Sequence, residues 1–134
     1  MIVADANLIA YFAVEGVNTP TAKRVFAKDR VWYAPDLWRA EMLSILAARL
    51  RRKQDSVENA EHCYLFAESL MRDHTYAVDF RRVLAVVERT GCTGYDSQYV
   101  ALAEERGLKL ITNDGGILQN AAHVALTPEQ FLAA

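Results

Sequence analysis

Short runs of strand-forming residues alternate with stretches of helical spacing along the chain, and most of the helical stretches open on a capping signal. Met1 to Ala4 reads as an apolar strand, and Val31 to Ala34 (VWYA) as a second, β-branched and aromatic one. Thr75 to Val78, Leu108 to Thr112 and Val124 to Leu126 supply three more. Thr19-Pro20 starts a helix to about Lys28, with Thr as N-cap and Pro at the first helical position. Pro35-Asp36 opens a long helix to about Arg52. Asp55-Ser56 caps another, reaching about Arg72, in which Val57, Ala60, Tyr64, Ala67 and Met71 keep helical spacing. A helix is expected over Arg81 to Arg89, and Thr93 caps one from Gly94 to Arg106 that Gly107 ends. Thr127-Pro128-Glu129-Gln130 is a capping box for a C-terminal helix. Strands that alternate with helices predict a three-layer α/β/α sandwich around a central, mainly parallel sheet of about five strands.

No repeat or linker interrupts the 134 residues, so one domain over residues 1–134 is expected. With 52% hydrophobic and 24% charged residues, the chain has enough apolar surface to order itself. The longest apolar run, Leu8 to Val14, is seven residues, too short to span a bilayer. Asp5 and the lack of a basic start argue against a secretory signal. Cys63 and Cys92 are far apart with no CxxC, as expected of free thiols in a reducing cytosol, so a cytoplasmic protein without a membrane partner is expected. The net charge of −2 neither supports nor excludes a nucleic-acid partner.

In open parallel sheets, ligands bind beyond the carboxyl ends of the strands. Asp5 and Asp114 follow the first and fourth strands. Glu41 and Asp96 lie near helix N-termini, where the chain has just left the same edge. Glu41 shares its helix face with Leu37, Ile45 and Ala48, and a carboxylate on such a stripe is costly unless paired or coordinated. Each acid has a local explanation too: Asp5 as a strand end, Asp96 as half of a capping box with Thr93, Asp114 as a turn residue. Those explanations leave their convergence on one rim without a cause.

The segments VADANLIAYF (Val3 to Phe12), APDLWRAEMLSIL (Ala34 to Leu46) and YDSQYVALAEERGLKLITND (Tyr95 to Asp114) resemble a PIN-domain nuclease, and more narrowly the VapC-type toxins of toxin–antitoxin pairs. The resemblance implies that Asp5, Glu41, Asp96 and Asp114 form a catalytic site for one or two Mg²⁺ or Mn²⁺ ions, with Asn7 and Thr112 as supports. It departs from the pattern at Gly115-Gly116, where a bulkier polar residue often follows the Asp. Hard Mg²⁺ takes oxygen ligands and keeps several waters, so a few carboxylates suffice without His or Cys. His62, His74 and His123 show no metal-ligand spacing.

The implied activity is metal-dependent hydrolysis of RNA phosphodiester bonds. The implied partners are a second copy of the chain and an antitoxin whose tail blocks the acidic site. Candidate groove residues for the antitoxin helix are Ala10, Tyr11, Phe12, Leu43, Leu46 and the Val57 to Leu70 helix, while Trp32, Tyr33 and Trp38 read as core or dimer contacts. Arg49, Arg51, Arg52 and Lys53 close the Glu41 helix. They suit its C-terminal dipole, and Arg49, Arg52 and Lys53 are candidates for phosphate contact with RNA. A haloacid-dehalogenase-like phosphatase would need D-x-D where this chain has Asp5-Ala6-Asn7, and a receiver domain would need paired acids after the first strand. A non-catalytic PIN-fold binding module is the remaining alternative.

Overall fold

Five short strands form one all-parallel sheet in the order β3-β2-β1-β4-β5 in the computed structural model, which describes residues 1–134. The strands are β1 (Ile2–Ala4), β2 (Trp32–Pro35), β3 (Thr75–Tyr76), β4 (Leu110–Ile111) and β5 (Ala125–Leu126). Helices α1 (Ala6–Ala13) and α2 (Thr19–Lys28) join β1 to β2, and α3 (Trp38–Arg51) and α4 (Val57–Met71) join β2 to β3. Helices α5 (Phe80–Thr90) and α6 (Gly94–Arg106) lead to β4, α7 (Gly115–Asn120) to β5, and α8 (Pro128–Ala133) follows. This is the expected three-layer sandwich.

Chain direction decides the layers. The first two crossovers step from β1 outward to β3, and right-handed connections place their helices on one face. The third steps back across the sheet to β4, so α5 and α6 cover the other face, with α6 against β1, β2 and β4. The order reverses between β1 and β4, the crevice where open α/β sheets take their ligands. Val3 and Ala4 of β1 stand beside Leu110 and Ile111 of β4 there, all fully buried. Trp32 and Trp38 are buried in the same core, where each large apolar side chain contributes roughly 1.5–3 kcal/mol.

Several boundaries differ from the expectation, each for a local reason. Helix α1 falls where only an apolar run was legible, with Asp5 as its N-cap. Pro35 ends β2 beside Tyr76 rather than opening a helix, and α3 starts at Trp38. Thr19 is the first residue of α2, not its cap. Its buried hydroxyl accepts from Gly16 N–H at 3.0 Å and donates to the Tyr11 carbonyl at 2.7 Å, fastening α2 to α1. Helix α7 occupies the glycine-bearing turn after Asp114. The caps Ser56, Thr93 and Thr127 and the left-handed stop at Gly107 stand as read.

Helix α3 is less covered than its apolar circumference suggests: Trp38, Met42 and Leu46 are buried, but Leu43 is exposed. Helix α4 packs beside it, held by a two-pronged Arg39–Glu68 pair at 2.8 and 2.7 Å. An apolar groove of about 600 Å³ stays open between them, lined by Leu43, Leu46, Leu50, Val57, Tyr64 and Leu65 among others. Of the other groove candidates, Ala10 and Tyr11 line a separate cavity, and Phe12 packs on Phe26, Trp32 and Phe66. Cys63 and Cys92 are free and buried. No helix is long and apolar enough to cross a membrane.

Candidate active site

β1 ends at Ala4, and the next residue turns the chain into α1. Asp5 makes that turn: its Oδ1 accepts from Leu8 N–H at 2.8 Å, satisfying one of the orphan donors of the helix. Its Oδ2 accepts a short hydrogen bond from the Thr112 hydroxyl. Thr112 follows β4, and the same hydroxyl oxygen accepts from Asp114 N–H at 3.0 Å. Asp114 caps α7 in turn, through Ile117 N–H to Oδ1 at 2.9 Å. One threonine thus links the two acids across the β1–β4 crevice. Gly116 lies close by: a Cβ there would come within 3.2 Å of Asp114 Oδ1, so the small residue leaves room for that carboxylate.

The other two acids arrive from helices. Glu41 lies one turn into α3, and its Oε1 accepts from the Tyr99 hydroxyl at 2.6 Å. Asp96 stands in the first turn of α6, its N–H bonded to Thr93 Oγ1 at 3.1 Å while its carboxylate faces the crevice. Asp5, Glu41, Asp96 and Asp114, with Asn7 at the edge and Tyr99 in the wall, line one cavity of about 80 Å³. Asp5 and Asp114 thus cap their helices through Oδ1 while lining the cavity, whereas Thr93 caps α6 through the Asp96 N–H, so the Asp96 carboxylate is not half of a capping box.

Electrostatics set this rim apart. Burial drives the Asp5 carboxyl up to about 6, against the opposing hydrogen bonds of Thr112 and Leu8, and the charges of Glu41 and Asp114 add to the rise. Burial also raises Glu41, opposed by the Tyr99 hydroxyl and aided by Asp96. Asp96 is raised by burial and then by Asp114. Tyr99 is pushed well above the usual phenol range by burial and by Glu41. No Lys, Arg or His lines the cavity, so nothing offsets the gathered negative charge from within.

The donor set is all oxygen, which suits a hard divalent cation and excludes a site of the His or Cys type. A water takes about 30 Å³ of liquid volume, so the cavity has room for an ion and a water or two. The carboxylates ring the space without closing on a point, and no three of them form a tight ligand cluster. Mg²⁺ fits such a ring, since it keeps part of its water shell and bridges to carboxylates through it. The residues present fit the ion.

Tyr99 is the site residue that sequence reasoning misses. Its position three residues after Asp96 puts both on one face of α6, a signal too common to single it out. Arg49 and Arg52 line a neighbouring cavity between α1 and α3, but Lys53 lies outside it. His123 pairs with Glu104 at 2.6 Å and His74 lies against Tyr33, both away from the acids. His62 does not line the cavity either.

Comparison with known proteins places this geometry among relatives. The PIN domain family model matches residues 2–123. Ribonuclease VapC3 of Pyrobaculum aerophilum is 32% identical over 117 residues, spanning 84% of this chain and 88% of that protein. The crystal structure of PAE2754 from Pyrobaculum aerophilum superposes with a TM-score of 0.77 at 20% identity, covering 98% of this chain and 86% of that one. A toxin–antitoxin complex from Klebsiella pneumoniae gives 0.67 at 16% identity, covering 96% and 98%. At those identities the structural likeness speaks for the fold.

Proposed function

The chain belongs to the PIN domain family, and from that premise we propose that it is a divalent-metal-dependent endoribonuclease, the toxin of a toxin–antitoxin pair. The observation that carries the proposal is the cavity at the β1–β4 crevice, walled by four carboxylates and by no basic side chain. Relatedness to a protein named as a ribonuclease supports RNA as the substrate.

When bound, one or two Mg²⁺ or Mn²⁺ ions would supply a deprotonated water and a counter-charge for the phosphate in flight. Asp5, Glu41, Asp96 and Asp114 are the residues to hold them. Thr112 and the α1 N-terminus fix Asp5 on both oxygens, so its orientation is set before any ligand arrives. Tyr99 holds Glu41 in the same way. Burial raises Glu41, so a cation at the rim would stabilise its charged form more than that of an exposed carboxylate. Asn7 offers a neutral amide at the cavity mouth, where it can bond a phosphate oxygen without adding charge.

The open apolar groove between α3 and α4 suits burial against a second copy or an antitoxin helix, and a basic antitoxin side chain would complement the acidic cavity. The kinship in fold with a toxin–antitoxin complex supports that assembly. Incubating the chain with single-stranded RNA in Mg²⁺ or Mn²⁺, and again in excess EDTA, tests the reading. Cleavage only with the ion is expected, and full cleavage in EDTA would overturn the metal mechanism.

A further inference from the structure

Three cavities run into one another along the seam between α1 and α3. The acid-lined cavity shares Asn7 and Glu41 with a shallower one that adds Ser44 and Ile45. That one shares Asn7 and Ile45 with a larger cavity of about 390 Å³. Asn7, Tyr11 and Val14 of α1 and its exit face Ile45, Arg49 and Arg52 of α3 and its C-cap across it. Both sets keep the three- and four-residue spacing of a single helix face. From Glu41 to Arg52 the axis of α3 advances about 16 Å, so the acidic end and the basic end of one channel are separated by a little more than two nucleotides of an extended strand.

We propose that the larger cavity is a nucleotide subsite, in which one nucleotide of the RNA strand is held while Arg49 and Arg52 bind its phosphates and the acid-lined cavity receives the phosphate to be cut. The proposal rests on the nuclease reading above and adds to it the track of the substrate.

Charge demands a device of this kind. Four gathered carboxylates repel a polyanion, so the strand needs fixed cations elsewhere along its path. Arg49 and Arg52 are the cations of the larger cavity, at its far end from the acids. Arg52 enters no ion pair. Arg49 is steadied by Asp55, but at 3.6 Å the contact is too long for a hydrogen bond, and its buried Nε lacks a partner. Arg49 therefore lines the cavity with guanidinium donors that no hydrogen bond takes up. Volume agrees as well, since small-ligand pockets start at about 300 Å³. The lining mixes side-chain amides of Asn7, Asn18 and Gln54 with the ring of Tyr11, and Glu15 is its single carboxylate against the two arginines. Amides can pair with base edges, and an aromatic ring can stack on a base face.

Binding of a single-stranded RNA decamer to the Asp96→Asn protein, measured across a salt series, tests the subsite alongside RNA cleavage by the unaltered protein. The slope of log K against log salt should flatten by about 0.7 for each arginine replaced by Gln, and Arg49→Lys and Arg52→Lys should restore it. The amide resonances of Gly16 and Ala48 should shift on titration with the decamer. If the slope and those resonances do not change while the unaltered protein still cleaves RNA, the subsite is wrong and the nuclease reading stands. If both respond but the unaltered protein cleaves no RNA with Mg²⁺ or Mn²⁺, the nuclease reading is wrong and the binding site stands. Loss of binding and cleavage together overturns both. Amide shifts confined to the α3–α4 groove also overturn the subsite, by placing the strand elsewhere.

Discussion

The hydroxyl of Thr112 donates to the Asp5 carboxylate, a partner 107 residues earlier in the chain. Both groups are buried, and the bond crosses the point where the sheet reverses its order. The same hydroxyl receives Asp114 N–H, so one oxygen ties the ends of β1 and β4 to each other and to α7. Removing it should therefore disturb charge, orientation and packing together.

Thr112→Val keeps the shape and deletes the hydroxyl. A buried carboxylate and a backbone N–H each lose a partner, which should cost about 1–3 kcal/mol. Without the Thr112 donor the Asp5 carboxyl rises further, so cleavage at neutral pH should fall about 10–100-fold and recover in part at higher pH. Thr112→Ser should retain most of both properties. Denaturant unfolding and a pH–rate profile of the three proteins check this.

Asp5 also predicts how the metal-free protein responds to pH. An acid whose folded value lies above its unfolded value binds more protons when folded, so its contribution to stability falls as pH rises. Raised from 3.8 to about 6, Asp5 should cost the metal-free fold about 3 kcal/mol above that window. Thermal unfolding in EDTA should thus give a lower Tm at pH 7.5 than at pH 5, and Asp5→Asn should flatten the difference. Glu68, Asp55 and Glu104 are lowered and act oppositely, losing their contribution only as pH falls through the carboxylate range. Mg²⁺ should raise Tm more at pH 7.5 than at pH 5, since protons compete for the same oxygens.

Neutralising a rim acid should separate activity from stability. Asp96→Asn and Glu41→Gln each remove one negative charge from a crowded set, so the metal-free Tm should hold or rise. Cleavage should drop by about 100-fold or more. An equal loss of stability and cleavage would instead favour purely structural roles for these acids.

Tyr99→Phe removes the hydroxyl that holds Glu41 and leaves the ring in place. The fold should lose about 1 kcal/mol, and cleavage about tenfold through the loosened carboxylate. A shift of the metal concentration needed for half-maximal cleavage, read by titration, distinguishes loss of positioning from loss of folding.

The exposed face at α3–α4 predicts association. Light scattering at micromolar concentration should give twice the 15.0 kDa chain mass, and Leu43→Glu should return it to the single mass with the fold intact. A single mass for the unaltered protein would remove the homodimer.

Features with a local cause were legible in the sequence. Thr93, Ser56 and Thr127 announce their helices because capping is decided within four residues. The parallel sheet follows from the alternation of elements. Helix α1 was not legible, because Leu8 to Val14 is an unbroken apolar run with no 3.6-residue contrast, packed against the sheet and other helices. Pro35 resembles a helix opener, yet it closes a strand whose neighbour comes from some forty residues further on. The convergence of four acids could be argued from strand ends and helix starts. Tyr99 could not, since its hydrogen bond exists only because α3 and α6 meet over the crevice.

The reversal of strand order between β1 and β4 also governs when the acidic rim can form. Asp5, Glu41 and Asp96 are all made before β4, but no rim exists until β4 slides in beside β1 and brings Thr112 and Asp114 with it. A chain emerging from the ribosome thus carries most of its acids as scattered, ordinary side chains. On the proposed reading the step that docks β4 also arms the molecule, so the translation machinery making this protein is shielded from it by topology until synthesis has passed β4.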